Sequence, residues 1–124
     1  MKLRVARHTS NLKPLISFYT TVLGLDVIGS FTDHAGYDGV FIGGKNTGWH
    51  LEFTISTSEA DHHADEDDLL VFYVDEKEYD IIIAKALTNN IKQVPAKNPY
   101  WAANGVTLID PDGFRIVVTI DPTL

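Results

Sequence analysis

Leu15-Ile16-Ser17-Phe18-Tyr19-Thr20-Thr21-Val22-Leu23 and Tyr79-Asp80-Ile81-Ile82-Ile83-Ala84-Lys85-Ala86-Leu87 carry one pattern twice. Leu15, Phe18, Tyr19, Val22 and Leu23 fall at helical spacing, and Tyr79, Ile82, Ile83, Ala86 and Leu87 repeat that stripe 64 positions later. Each stripe follows an extended segment, Leu3 to Thr9 or Leu69 to Val74, and precedes further strand-like runs. The chain therefore reads as two copies of a βαβββ unit. One such unit alone leaves an apolar sheet face bare, so two must close together. The expected fold class is α+β: two tandem βαβββ modules forming a curved eight-stranded mixed sheet around a cavity, with the helices outside.

The flanking residues support these elements. Asn11 is placed to cap the first helix, Pro14 is tolerated in its first turn, and Gly24 stands where a glycine ends a helix. Val27 to Phe31, Tyr37 to Ile42 and Trp49 to Ile55 read as strands, with glycines and Asn46 in the turn before the last. The second module repeats the order: Asp75 caps a helix closing at Asn89 or Asn90, followed by strands over Ile91 to Val94, Gly105 to Ile109 and Phe114 to Ile120. Asp110-Pro111-Asp112-Gly113 is the last hairpin turn. The modules are set at residues 1–57 and 69–124. The acidic stretch 58–68 between them, which includes His62 and His63, has the composition of a solvated linker.

Composition removes several functional classes. At 124 residues and 44% hydrophobic, the chain holds enough apolar content for one globular core. A net charge of −7 supplies no basic stripe, and no nucleic-acid motif is present, so no nucleic-acid partner is expected. No apolar run approaches the roughly 18 residues of a membrane span, and residues 1–6 lack a signal-peptide core. A soluble, cytoplasmic protein is the expectation. The absence of cysteine excludes disulfides, thiol nucleophiles and thiolate metal sites. There is no P-loop and no nucleophile elbow.

Alternation along the strands sorts their side chains into two faces. Val5, Leu51, Phe53, Leu70, Phe72, Val74, Ile116, Val118 and Ile120 are assigned to the helix-packed face. Arg7 falls on that face too, an odd place for a cation. The opposite, cavity-side face carries Arg4, Ala6 and His8; His50, Glu52 and Thr54; Leu69, Val71 and Tyr73; Arg115, Val117 and Thr119. Apolar walls with a few convergent polar groups make a small-molecule pocket.

Three segments carry a family resemblance: Asn11-Leu12 with Phe18-Tyr19 and Leu23-Gly24-Leu25, then Trp49-His50-Leu51-Glu52-Phe53, then Asp110-Pro111-Asp112-Gly113-Phe114-Arg115-Ile116. In their order and spacing the chain resembles the vicinal oxygen chelate superfamily, the glyoxalase, bleomycin-resistance and ring-cleaving dioxygenase group. The resemblance covers nearly the whole chain and implies the fold; it does not imply one activity, because the group includes lyases, isomerases, dioxygenases, thiol transferases and drug-sequestering proteins. It also implies pairing into a homodimer. Family enzymes place metal ligands on the first and last strands of each module, and those positions fall here on Arg4, Glu52, Leu69 and Val117. Leucine and valine have no donor atom, and arginine brings a repelling charge. The resemblance thus implies that the usual metal site is dismantled.

The candidate ligand-binding residues are Arg4, His8, His50, Glu52, Tyr73, Tyr100, Trp101 and Arg115. Glu52 is expected to pair with Arg4 or Arg115; enclosed in apolar surroundings instead, it would suit general-base work. Tyr100 and Trp101, in a loop beside Pro99, are placed with Tyr73 to stack on a planar ligand, or else to plug the gap between modules. The expected function is a metal-free small-molecule-binding protein of the bleomycin-resistance type, with no cofactor. The alternative is a glyoxalase-like lyase, isomerase or dioxygenase holding a divalent metal on Glu52, His50 and His8, with Glu52 the candidate catalytic residue.

Overall fold

A computed structural model describes all residues, Met1–Leu124. It divides into two compact units, Met1–His62 and His63–Leu124, with the division inside the acidic stretch.

The first unit runs β1 (Leu3–His8), α1 (Leu12–Ser17), a π-helical turn (Phe18–Val22), β2 (Asp26–His34), β3 (Tyr37–Gly43) and β4 (Trp49–Ile55). The second runs β5 (Leu69–Val74), α2 (Glu76–Thr88), β6 (Gln93–Val94), α3 (Pro99–Asn104), β7 (Val106–Ile109) and β8 (Arg115–Ile120). The fold is α+β. The eight strands form two four-stranded hydrogen-bonded sheets, ordered β1-β4-β3-β2 and β5-β8-β7-β6. In each, the first strand lies parallel to the last and the remaining pairs are antiparallel, so the sequence duplication is also a duplication of topology.

The first stripe is the core of its module. Leu15, Phe18, Tyr19, Val22 and Leu23 are buried together with Val40, Ile42, Leu51 and Phe53 of the sheet. Each large side chain contributes about 1.5–3 kcal/mol by leaving water. Asn11 Oδ1 caps α1 by accepting from Lys13 N–H. The spacing predicts one continuous α-helix to Leu23; instead the last turn widens, with Leu23 N–H bonding Phe18 O across five residues, and Gly24 ends it at φ +75°. Arg7 proves to be part of this core: its Nη2 donates to the buried Tyr19 hydroxyl at 3.0 Å, and its guanidinium carbon lies 5.2 Å from the Phe53 ring centroid.

In the second module Asp75 caps α2 through Glu78 N–H, and Ile82 and Ala86 are buried. Two assignments are corrected. Leu87, placed in the stripe, is 81% exposed, and Ile120, placed on the packed face of β8, is 41% exposed. Both lie at the end of their element, where packing partners run out. Residues 98–101 are not a loop: Asn98 Oδ1 caps α3 through Tyr100 N–H, and Pro99 occupies its first turn. The chain shows no apolar periodicity there, so only the cap and the proline signal the helix. The start of the acidic stretch is tied to the first unit, since Ala60 N–H bonds Ser10 Oγ and His62 Nε2 bonds the His8 carbonyl at 2.7 Å.

The Arg7–Tyr19 contact yields a test. Tyr19→Phe keeps the ring but removes the acceptor of a charged donor, which lowers stability by about 2 kcal/mol. Urea denaturation checks this; an unchanged midpoint contradicts a structural role for Arg7.

Candidate functional site

The site in the first module is set by strand register. Arg4 stands opposite His50, Ala6 opposite Glu52 and His8 opposite Thr54 in the parallel β1–β4 pair. Across the antiparallel β3–β4 pair, Phe41 stands opposite Glu52 and Gly43 opposite His50. All of these side chains share the face turned away from α1. Arg4 links them. Its Nε donates to His50 Nε2 at 2.9 Å, its Nη1 lies 3.7 Å from Glu52 Oε2, and its guanidinium carbon sits 4.8 Å from the Phe41 centroid. The His50 ring meets Phe41 edge-on at 5.8 Å. The Arg4 side chain is half exposed, so its ion pair with Glu52 is worth under about 1 kcal/mol. Its importance lies in where it holds the charge.

His50 is 5% exposed. Burial, followed by the positive charges of Arg4 and Lys2, holds its pKa below the ordinary 6.5, with Glu52 opposing. The geometry requires the neutral ring: a guanidinium only donates, so Nε2 accepts and the proton resides on Nδ1. His8 shares the face but is committed elsewhere. The Ser58 carbonyl, 2.9 Å from Nε2, can only accept; Nε2 therefore donates, and in the neutral ring Nδ1 accepts from Thr54 Oγ1 at 2.9 Å.

Beside the Arg4 group lies an open cleft of about 410 Å³, within the size range of small-ligand sites. Arg4, Phe41 and His50 line it together with Lys2, Trp49 and the β3–β4 turn at residues 44–47. Phe41, Lys2, Lys45 and Trp49 are not among the ligand-binding candidates of the sequence. Phe41 enters only through the β3–β4 register. Lys2 and Lys45 lie outside the strands, where alternation assigns no face.

The donors do not fit a metal ion. Of the four family positions, only Glu52 carries a donor, and the arginine at the first points its charge at it. The relocated set fails as well: His50 Nε2 accepts from Arg4, both nitrogens of His8 are engaged, and no group of three or more His, Asp or Glu side chains is arranged to hold a metal.

The second module holds the other predicted residues. Arg115 Nη1 donates to the Pro95 carbonyl at 3.0 Å and Nη2 lies 3.7 Å from Glu66 Oε2, so Arg4 is the cation beside Glu52 and Arg115 serves its own module. Tyr73 is exposed on β5, opposite Thr119. Tyr100 and Trp101 form an edge-on pair 4.8 Å apart on α3; Tyr100 is exposed, and half-buried Trp101 lines a recess of about 160 Å³. Thr119 Oγ1 donates to the Asn104 carbonyl, tying the end of α3 to β8, where Val117 is fully buried.

Two βαβββ modules of this topology define a member of the vicinal oxygen chelate superfamily. Residues 3–54 match the model of the YycE-like N-terminal domain and residues 67–119 that of the YycE-like C-terminal domain. The chain belongs to the YycE family. It is 44% identical over 121 residues to YycE of Bacillus subtilis (strain 168), covering 94% of this chain and 85% of the relative. The crystal structure of a Bacillus subtilis YycE protein of unknown function, for which a glyoxalase or fosfomycin-resistance role has been suggested, superposes with a TM-score of 0.86 at 43% identity, over 95% of this chain and 88% of that one. Glyoxalase I of Leishmania major (TM-score 0.78, 20% identity, 99% and 88% covered) and a FosX variant of Listeria monocytogenes complexed with Mn(II) and dihydroxypropylphosphonic acid (0.70, 12%, 94% and 88%) share the fold alone.

The His50 geometry predicts a pH response. Its folded pKa is below the unfolded value, so its contribution to stability is complete above pH 6.5 and is lost as pH falls from there toward the folded pKa. Protonation also turns Nε2 from acceptor into donor and breaks the Arg4 bond. Ring ¹⁵N spectra of the native protein should show the Nδ1–H tautomer at pH 7 and a midpoint below 6.5, moving upward in Arg4→Ala; the opposite tautomer would contradict the Arg4 bond.

Proposed function

We propose that the chain is a small-molecule-binding protein of the glyoxalase/bleomycin-resistance type that works without the superfamily's usual metal. The observation that carries this reading is the Arg4 guanidinium, which stands at a family metal-ligand position and engages both His50 and Glu52. A cation already held by the would-be ligands replaces the metal's charge with a fixed one, and the adjoining cleft supplies aromatic wall and volume for a ligand. Glu52 then orients Arg4 rather than acting as a catalytic base. The reading extends to a cytoplasmic homodimer, supported by the cysteine-free composition and by the family resemblance.

Loading the untagged protein with Zn, Mn, Ni and Co, followed by dialysis and elemental analysis, should leave far less than one metal per chain. One tightly held metal per chain, lost in Glu52→Gln, would overturn the proposal in favour of a metal-dependent lyase, isomerase or dioxygenase.

A further inference from the structure

We propose that the first-module cleft selects a small organic anion, with its carboxylate- or phosphate-type group between Lys2, Arg4 and Lys45 and its apolar body against Phe41 and Trp49. This deepens the ligand-binding reading above and rests on it. The chain has 17 acidic residues and a net charge of −7, yet none of the residues lining this cleft is acidic, and three of the chain's ten lysines and arginines line it. The composition alone favours a cationic ligand; the local lining reverses that sign.

The cations differ in kind. Arg4 is fixed by His50, Glu52 and Phe41, so it offers a preorganised charge, only partly offset by one carboxylate. Lys2 and Lys45 are exposed, and neither is ion-paired, so both remain available to an incoming anion. The turn that carries Lys45 is held in shape: Thr47 Oγ1 bonds the Gly44 carbonyl at 3.2 Å and the Trp49 carbonyl at 2.8 Å, and Asn46 takes φ +60°. A cleft of about 410 Å³ with an aromatic wall suits an anion carrying a ring or a short apolar chain better than a bare inorganic ion.

The test compares two probes of one size and opposite charge, benzoate and benzylammonium, together with inorganic phosphate, by amide ¹H–¹⁵N spectra of the full chain. Benzoate should shift the amides of residues 44–49 and the Trp49 indole saturably, phosphate should act more weakly at the same amides, and benzylammonium should leave them unmoved. Lys2→Gln and Lys45→Gln should each weaken benzoate by about threefold, and the pair by about tenfold, the range for solvent-exposed charges. Raising salt should weaken it further. Because both lysines are exposed, the variants should keep native spectra. Benzylammonium binding at these amides as well as benzoate, or benzoate binding indifferent to the double substitution, overturns the anion assignment while leaving a ligand site. No response of the cleft to benzoate overturns it as well. Metal capture at His50 and Glu52, by contrast, is the failure of the underlying reading.

Discussion

The parallel pairing of β1 with β4 is the constraint from which the rest of the first module's site follows. It places Arg4 beside His50 and one pleat from Glu52, while β3 brings Phe41 under the guanidinium. The register is not chosen by those polar groups, whose exposed interactions are weak. It is enforced from the other side of the sheet, where Leu51, Phe53, Val40 and Ile42 are buried against the stripe from Leu15 to Leu23. A slip of one residue would turn Leu51 and Phe53 to the polar face, costing about 1.5–3 kcal/mol for each. Hydrophobic burial thus sets the polar geometry.

Arginine at this position changes what chemistry the position can supply. A metal ion needs several electron-pair donors converging on one point, whereas a guanidinium presents donors of its own and consumes the acceptors nearby. His50 and Glu52 become its holders. The consequence is a fixed positive charge at the edge of a cleft that Lys2 and Lys45 also line. Solved relatives of the same fold include a FosX with Mn(II), so fold alone does not decide between metal and no metal; the residues at the site do.

Most of the fold was legible because the signals were redundant. β4, β5 and the Asp75-capped α2 carry alternation or helical spacing together with caps and flanking turns, and the structure places them at or within a residue of the predicted bounds. The misses have local causes. The π-helical turn leaves the apolar stripe unchanged, so periodicity cannot reveal it. α3 is six residues with no buried face, visible only through Asn98 and Pro99. At the site, Arg4, His50 and Glu52 were found because alternation on β1 and β4 places them. His8 was on the right face but its ring is consumed by Thr54 and Ser58, and Arg115 was satisfied by Pro95 and Glu66; hydrogen-bond partners of this kind cannot be read from spacing.

The most direct measurement is the ¹⁵N ring spectrum of His50 at neutral pH during titration with Zn(II), on the native chain. If Arg4 holds the position of a metal, Nε2 keeps the shift of a hydrogen-bond acceptor, the Nδ1 proton persists, and stoichiometric zinc leaves both unchanged. A large shift of Nε2 at one equivalent of zinc, with release of the Arg4 Nε–H signal, would show that the guanidinium is only a placeholder and that this is a metal site after all.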